Sequence, residues 1–137
     1  MTPSLLNKKN GRMNFLDDLF ILQSTEATEN GFTARLLCNA SHPVYQAHFP
    51  GNPITPGACL LKTAGEALQS FKGRKLYLKT AKNIKYLNLL IPEKGKAVRF
   101  EFTNLTEIDN GCKTQLVIED DTAVYSKMSL SFSYEPV

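Results

Sequence analysis

His48 stands immediately before Phe49-Pro50-Gly51-Asn52-Pro53-Ile54-Thr55-Pro56-Gly57. Each proline fixes its own φ and steers the preceding residue away from the helical region. The glycines allow a sharp turn or a close approach to a ligand. The pattern predicts a stiff, irregular loop holding one imidazole. Directly after it, residues 58–71 read as a helix with Pro56-Gly57 at its start. Backbone N–H groups at that N-terminus are placed to receive an oxygen carrying negative charge. An imidazole with an ordinary pKa of roughly 6.5 beside such donors points to acid/base chemistry on a carbonyl compound.

Other reactive side chains lie close by in sequence. On the helix, Lys62, Glu66 and Gln69 share a polar side. Lys62 and Glu66 are four apart, so an ion pair between them is the plain alternative to a chemical role. His42 and Tyr45 fall in the loop before His48, where His42 reads as an ordinary loop histidine. Cys59 is either a nucleophile beside the motif or a small buried core residue. Three cysteines without close spacing or a secretory signal read as free thiols of a reducing compartment. The histidines and cysteines show no metal-ligand spacing, and no metal or cofactor is expected.

The stretch from Pro43 through His48 to Gly57 resembles the catalytic loop of the 3-hydroxyacyl-[acyl-carrier-protein] dehydratases, the FabZ/FabA-like enzymes. Ile84-Lys85-Tyr86 followed by Ile91-Pro92 is similar to that family's strand after the helix. The likeness extends more weakly to about residue 134 and leaves residues 1–12 uncovered. The resemblance implies an α+β hot-dog fold, an antiparallel sheet wrapped around one long central helix. It implies dehydration of 3-hydroxyacyl chains carried on the phosphopantetheine arm of an acyl carrier protein, giving the trans-2-enoyl form. By it, His48 is the base and the Gly57 N–H stabilises the enolate-like thioester oxygen. Tyr45 either gates the acyl channel or simply packs, and Phe49, Pro56 and Lys62 join it on the substrate side. The family's catalytic acid sits on the helix fourteen residues after the histidine, and here that position is Lys62. Glu66, one turn on, is the substitute acid. That departure keeps two alternatives: a non-catalytic subunit that binds acyl chains or carrier protein, and a thioesterase of the same fold. The family also builds each site from two protomers, which implies a homodimer, an oligomer of dimers or a pair with a homologous subunit.

The elements that must position these residues are legible in the remainder. Residues 14–20 suggest one or two helical turns. Residues 21–28 and 32–38 flank Glu29-Asn30-Gly31, a hairpin signal. In the helix, Leu61, Gly65, Leu68 and Phe71, together with Ala58 and Ala64, spread apolar character over much of the circumference, and Gly73 is a stop. Residues 76–90, 97–105, 112–119 and 123–134 read as strands of a meander, with turns at Asp109-Asn110-Gly111 and Glu119-Asp120-Asp121.

The 137 residues fit one domain, residues 13–137 behind a polar arm of residues 1–12. No apolar run approaches the roughly 20 residues that cross a bilayer, and the start lacks the order of a signal peptide. A cytoplasmic protein without membrane association is expected. The net charge of +3 is uneven: residues 62–99 hold ten Lys and Arg against two acids, a balance of +8, while residues 101–137 hold two against seven, −5. The basic stretch either steers an acidic partner such as a carrier protein or protects a strand edge with lysines. No nucleic-acid-binding motif accompanies it.

Overall fold

A computed structural model describes residues 15–47, 51 and 53–137 of the chain. Its elements are β1 (Phe20–Thr28), β2 (Gly31–Cys38), α1 (Pro43–Ala47), α2 (Gly57–Lys72), β3 (Tyr77–Tyr86), β4 (Ala97–Ile108), β5 (Gly111–Glu119) and β6 (Val124–Ser133). The six strands form one antiparallel sheet in the order β1-β2-β4-β5-β6-β3. This is the hot-dog arrangement expected from the resemblance.

Alternation decides which face of the sheet is covered. Phe32, Ala34, Leu36 and Cys38 of β2 are buried, as are Val98, Phe100 and Phe102 of β4, Leu116 and Ile118 of β5, and Met128, Leu130 and Phe132 of β6. Register places these residues opposite one another: Phe32 with Phe102, Phe100 with Ile118, Leu116 with Met128. A one-residue slip would turn the whole apolar set to solvent, so the pattern pins the pairing.

Helix α2 lies on that face through Cys59, Leu60, Thr63, Ala64, Ala67 and Leu68. The buried stripe is narrower than the sequence suggests. Ala58 is exposed, and Phe71 is half-exposed while its ring stacks on Phe32 at 3.9 Å between centroids. At Gly65 the helix faces β6, and a Cβ there would make an ordinary contact with the Phe132 ring at 3.5 Å. Gly73, at φ 67, ends the helix and donates its N–H to the Gln69 carbonyl.

Three expectations about elements are corrected. The strands after α2 are not a simple meander: β4, β5 and β6 are, but β3 crosses to the far edge and pairs with β6, leaving β4 beside β2. Residues 15–19 form a turn with a single bridge, not helical turns, and Asn14 lies outside the described residues. The loop before the motif contains the short helix α1, which begins at Pro43, a residue suited to a first helical position. As an edge strand, β3 and the residues after it expose Ile84, Tyr86, Leu87, Leu89 and Ile91 in sequence. Among the described residues, no helix is long and apolar enough to cross a membrane.

Candidate functional site

The segment entering α2 is held at Thr55. Its N–H donates to the Leu90 carbonyl at 2.9 Å, and its hydroxyl shares a 3.0 Å hydrogen bond with the Tyr45 hydroxyl. Both side chains are buried, and burial pushes the Tyr45 phenol up to about 12. The structure thus places Tyr45 inside α1's packing against the motif, as a tie to Thr55. Pro56 follows as the N-cap in an extended conformation, and its carbonyl accepts from the Cys59 and Leu60 N–H groups. Proline brings no capping side chain, so ligation of the first turn falls to other groups. Gly57 opens the helix with its α-carbon against the Tyr86 ring, and a Cβ there would overlap the ring. A side chain at position 57 would have to displace the Tyr86 ring. At Gly51 the demand for glycine comes from backbone conformation, since φ is 77.

His48 and Phe49 lie outside the described residues, as do Pro50, Asn52 and residues 1–14. Around them the chain enters from the end of α1 at Ala47 and leaves through Pro53 to Pro56.

Glu66 is engaged within its own chain. Its Oε1 accepts from the Phe15 N–H at 2.9 Å and the Leu16 N–H at 3.0 Å, and its Oε2 lies 3.2 Å from the Phe15 nitrogen. Lys62 Nζ stands 3.6 Å from Oε2, with the lysine side chain 43% exposed and the glutamate 13%. Burial pushes the Glu66 carboxyl above its ordinary value, against the Leu16 N–H, the Lys62 charge and the Phe15 N–H that favour ionisation. Lys62 also sits 5.9 Å from the Phe15 ring centroid. From Gly57 to Glu66 is nine residues, about 13 Å along a helix. One chain therefore does not bring the α2 N-terminus and Glu66 together.

His42 is buried and structural in its contacts. Its Nδ1 accepts from the Val44 N–H at 3.0 Å, its Nε2 lies 3.6 Å from Asp18 Oδ2, and its ring meets Phe15 edge-on. Asn39 adds a bond from Nδ2 to the Asp18 carbonyl at 2.7 Å. Glu66, His42 and Asn39 together hold the turn of residues 15–19 against the helix. Sequence reading missed this clamp, because its partners are some 20 to 50 residues apart.

Cys59 is buried, and burial raises its thiol, which lowers the thiolate fraction a nucleophile needs. Among the described residues no cluster of His, Cys, Asp and Glu could hold a metal. Part of the basic stretch is consumed internally: Lys72 pairs with Glu107 at 2.8 Å, Arg74 stacks over Tyr134, and Lys96 pairs with Asp120 at 3.5 Å. Lys79, Lys82 and Lys85 remain exposed along β3, with no ion pair among the described residues.

Fold and motif define a hot-dog protein of the dehydratase type. The ApeI-like family model, described as ApeI dehydratase, matches residues 23–129, and the chain belongs to that family. Curated relatives are 3-hydroxyacyl-[acyl-carrier-protein] dehydratases FabZ. The protein of Lactococcus lactis is 27% identical over 92 residues, covering 62% of this chain and 61% of its own. That of Latilactobacillus sakei is 32% identical over 66 residues, covering 43% of this chain and 47% of its own. These matches span at most about three-fifths of the relatives' length. Among solved structures, the dehydratase heterocomplex ApeI:P from Xenorhabdus doucetiae aligns with a TM-score of 0.66 at 15% identity, covering 83% of this chain and 97% of that one. A candidate thioesterase from Lactococcus lactis aligns at 0.63 and 17% identity, covering 90% and 98%. Both share the fold.

Proposed function

We propose that the protein dehydrates 3-hydroxyacyl thioesters carried by acyl carrier protein, in the cytoplasm, within the synthesis of fatty-acid or related acyl chains. The observation that carries this reading is the His48 motif running directly into the N-terminus of the sheet-covered helix α2, in a chain of the dehydratase family. His48 takes the proton from Cα. The Gly57 N–H stabilises the charge that develops on the thioester oxygen. The C–O bond at the β-carbon breaks as the double bond forms, and the hydroxyl leaves as water with a proton from Glu66. The 13 Å between Gly57 and Glu66 within a chain means that Glu66 would come from a second protomer. The exposed apolar residues of β3 support such a partner, a second copy or a homologous subunit, and Lys79, Lys82 and Lys85 on the same strand suit an acidic carrier protein.

One observation favours a second reading, a non-catalytic carrier-binding subunit. Lys62 occupies the family's acid position, and the Glu66 carboxylate is already bound by the Phe15 and Leu16 N–H groups. The test is incubation of the purified protein with 3-hydroxyacyl thioesters of several lengths, on carrier protein and on pantetheine. The expected product is the enoyl thioester, and His48→Ala lowers its rate by about 10²–10⁴. Carrier binding without any product supports the second reading, and release of free acid replaces both with a thioesterase.

A further inference from the structure

Among the described residues, Ser126 Oγ is the buried side-chain polar atom that has no hydrogen-bond partner. The residue is fully buried. A buried hydroxyl without a partner costs free energy, so its presence calls for a ligand that completes it.

Its position in the sheet says which ligand. Ser126 shares a face of β6 with Met128, Leu130 and Phe132, the residues that cover α2. Phe132 meets the helix at Gly65. At the other end of the strand, Ser126 pairs directly with Tyr86 of β3, so the two side chains lie on the same, helix-facing side. The Tyr86 ring in turn lies on Gly57, the first residue of α2. The unpartnered hydroxyl is thus the strand neighbour of the ring that lies on the first residue of α2, on the same face of the sheet. At the three positions that follow on this face the sequence uses large apolar side chains, and only here a serine.

We infer that Ser126 is a second hydrogen-bond donor to the thioester carbonyl oxygen bound at the N-terminus of α2, and that Tyr86 is the side chain that covers this position until the ligand displaces it. The inference rests on the acyl-thioester reading above. Within its own chain Tyr86 is 56% exposed, so the core of that chain does not lock its ring in place. A hydroxyl held ready between buried strands loses little entropy on binding and costs no reorganisation when charge develops on the oxygen.

The experiment compares the wild type and Ser126→Ala in thermal unfolding and in calorimetric titration with a 3-hydroxyacyl pantetheine thioester. A second titration uses the thioether analogue, in which a methylene replaces the thioester carbonyl. Ser126→Ala breaks no internal hydrogen bond, so the expected melting temperature is equal or higher. The expected affinity for the thioester falls about fivefold to tenfold, and that for the thioether is unchanged. Undiminished thioester binding by the variant, or an equal loss for both ligands, overturns the inference alone. A wild type that binds neither ligand overturns it together with the acyl-thioester reading.

Discussion

Glu66 is asked to do two things, and a three-variant series separates them. Its carboxylate accepts from two backbone N–H groups, Phe15 at 2.9 Å and Leu16 at 3.0 Å. Hydrogen bonds to a charged acceptor contribute about 1.5–3 kcal/mol each, but here the cost of burying the charge outweighs what these bonds and Lys62 give the ionised form, as the raised pKa records. Glu66→Ala leaves both N–H groups without their acceptor at a partly buried site, and the expected loss is about 2–4 kcal/mol. Glu66→Gln keeps the shape and one carbonyl oxygen and removes the cost of the buried charge, so its expected loss is within about 1 kcal/mol. Lys62→Ala removes an ion pair at 3.6 Å whose lysine is 43% exposed, which is expected to cost about 0–1 kcal/mol. Urea unfolding with a common m-value reads all three. On the proposed reading, with Glu66 as the acid, activity is expected to follow a different order, because an amide cannot give up that proton: Glu66→Gln is expected to stay folded and lose turnover. A Glu66→Gln loss as large as that of Glu66→Ala would show that charge, not hydrogen-bond acceptance, holds the turn of residues 15–19. A Glu66→Ala loss below about 1 kcal/mol would refute the clamp altogether. The pH dependence adds a check. A folded pKa above the ordinary 4.5 makes stability fall as pH rises from that value through the folded one, and Glu66→Gln removes this slope.

Gly57→Ala gains less than the roughly 1 kcal/mol of helix propensity found in a helix interior, because the position opens α2, and it drives Tyr86 off the helix, so denaturation should show little change while, on the proposed reading, turnover drops. Lys62→Glu restores the acid that the resemblance expects, with a pKa raised by neighbouring Glu66, and is expected to raise dehydration in the thioester assay. Asp120 accepts from the Tyr125 hydroxyl and from the Thr122 and Ala123 N–H groups. Burial would raise its carboxyl, but these bonds outweigh it and hold the group well below its ordinary value. The lowered pKa gives stability that is present above about pH 3.8 and lost on acidification, and acid unfolding of Asp120→Asn should show a flatter profile.

Much of the fold was legible because β2, β4, β5 and β6 alternate over much of their length and the turns carry their own chemistry. Asn110 takes φ 53 in the β4–β5 turn, and the Glu29-Asn30 turn joins Thr28 to Gly31, as their sequences suggest. Sheet order was not legible. β3 reads as the next strand of a meander because sequence neighbours usually pair, and nothing local in Tyr77–Tyr86 says that it skips to β6. Helix α2 read as apolar over much of its circumference because Ala58, Leu61 and Phe71 are apolar, yet one chain buries only the stripe from Cys59 to Leu68. The motif announced Gly57, but not that Tyr86, 29 residues later, would lie on it. The tie from Tyr45 to Thr55 was hidden because Tyr45 read equally well as gate or as packing and nothing in the sequence singled out Thr55 as its partner.

The leftover apolar character of α2 and β3 bears on the site itself. If the protein is a dehydratase, its acid and its oxyanion donors must meet across one acyl group, and along one helix they stand about 13 Å apart. Only a second helix, brought by a partner, can place a residue at the level of 62 to 66 opposite a neighbouring Gly57. The exposed series Ile84, Tyr86, Leu87, Leu89 and Ile91 includes the ring resting on Gly57. Burial of this edge by a partner would therefore change the exposure of Tyr86 and the environment of the α2 N-terminus in one step. The identity of the partner then decides the chemistry. A second copy offers Lys62 with a Glu66 already tied to residues 15 and 16, whereas a homologue with a free carboxyl at the level of Lys62 would complete the pair with His48.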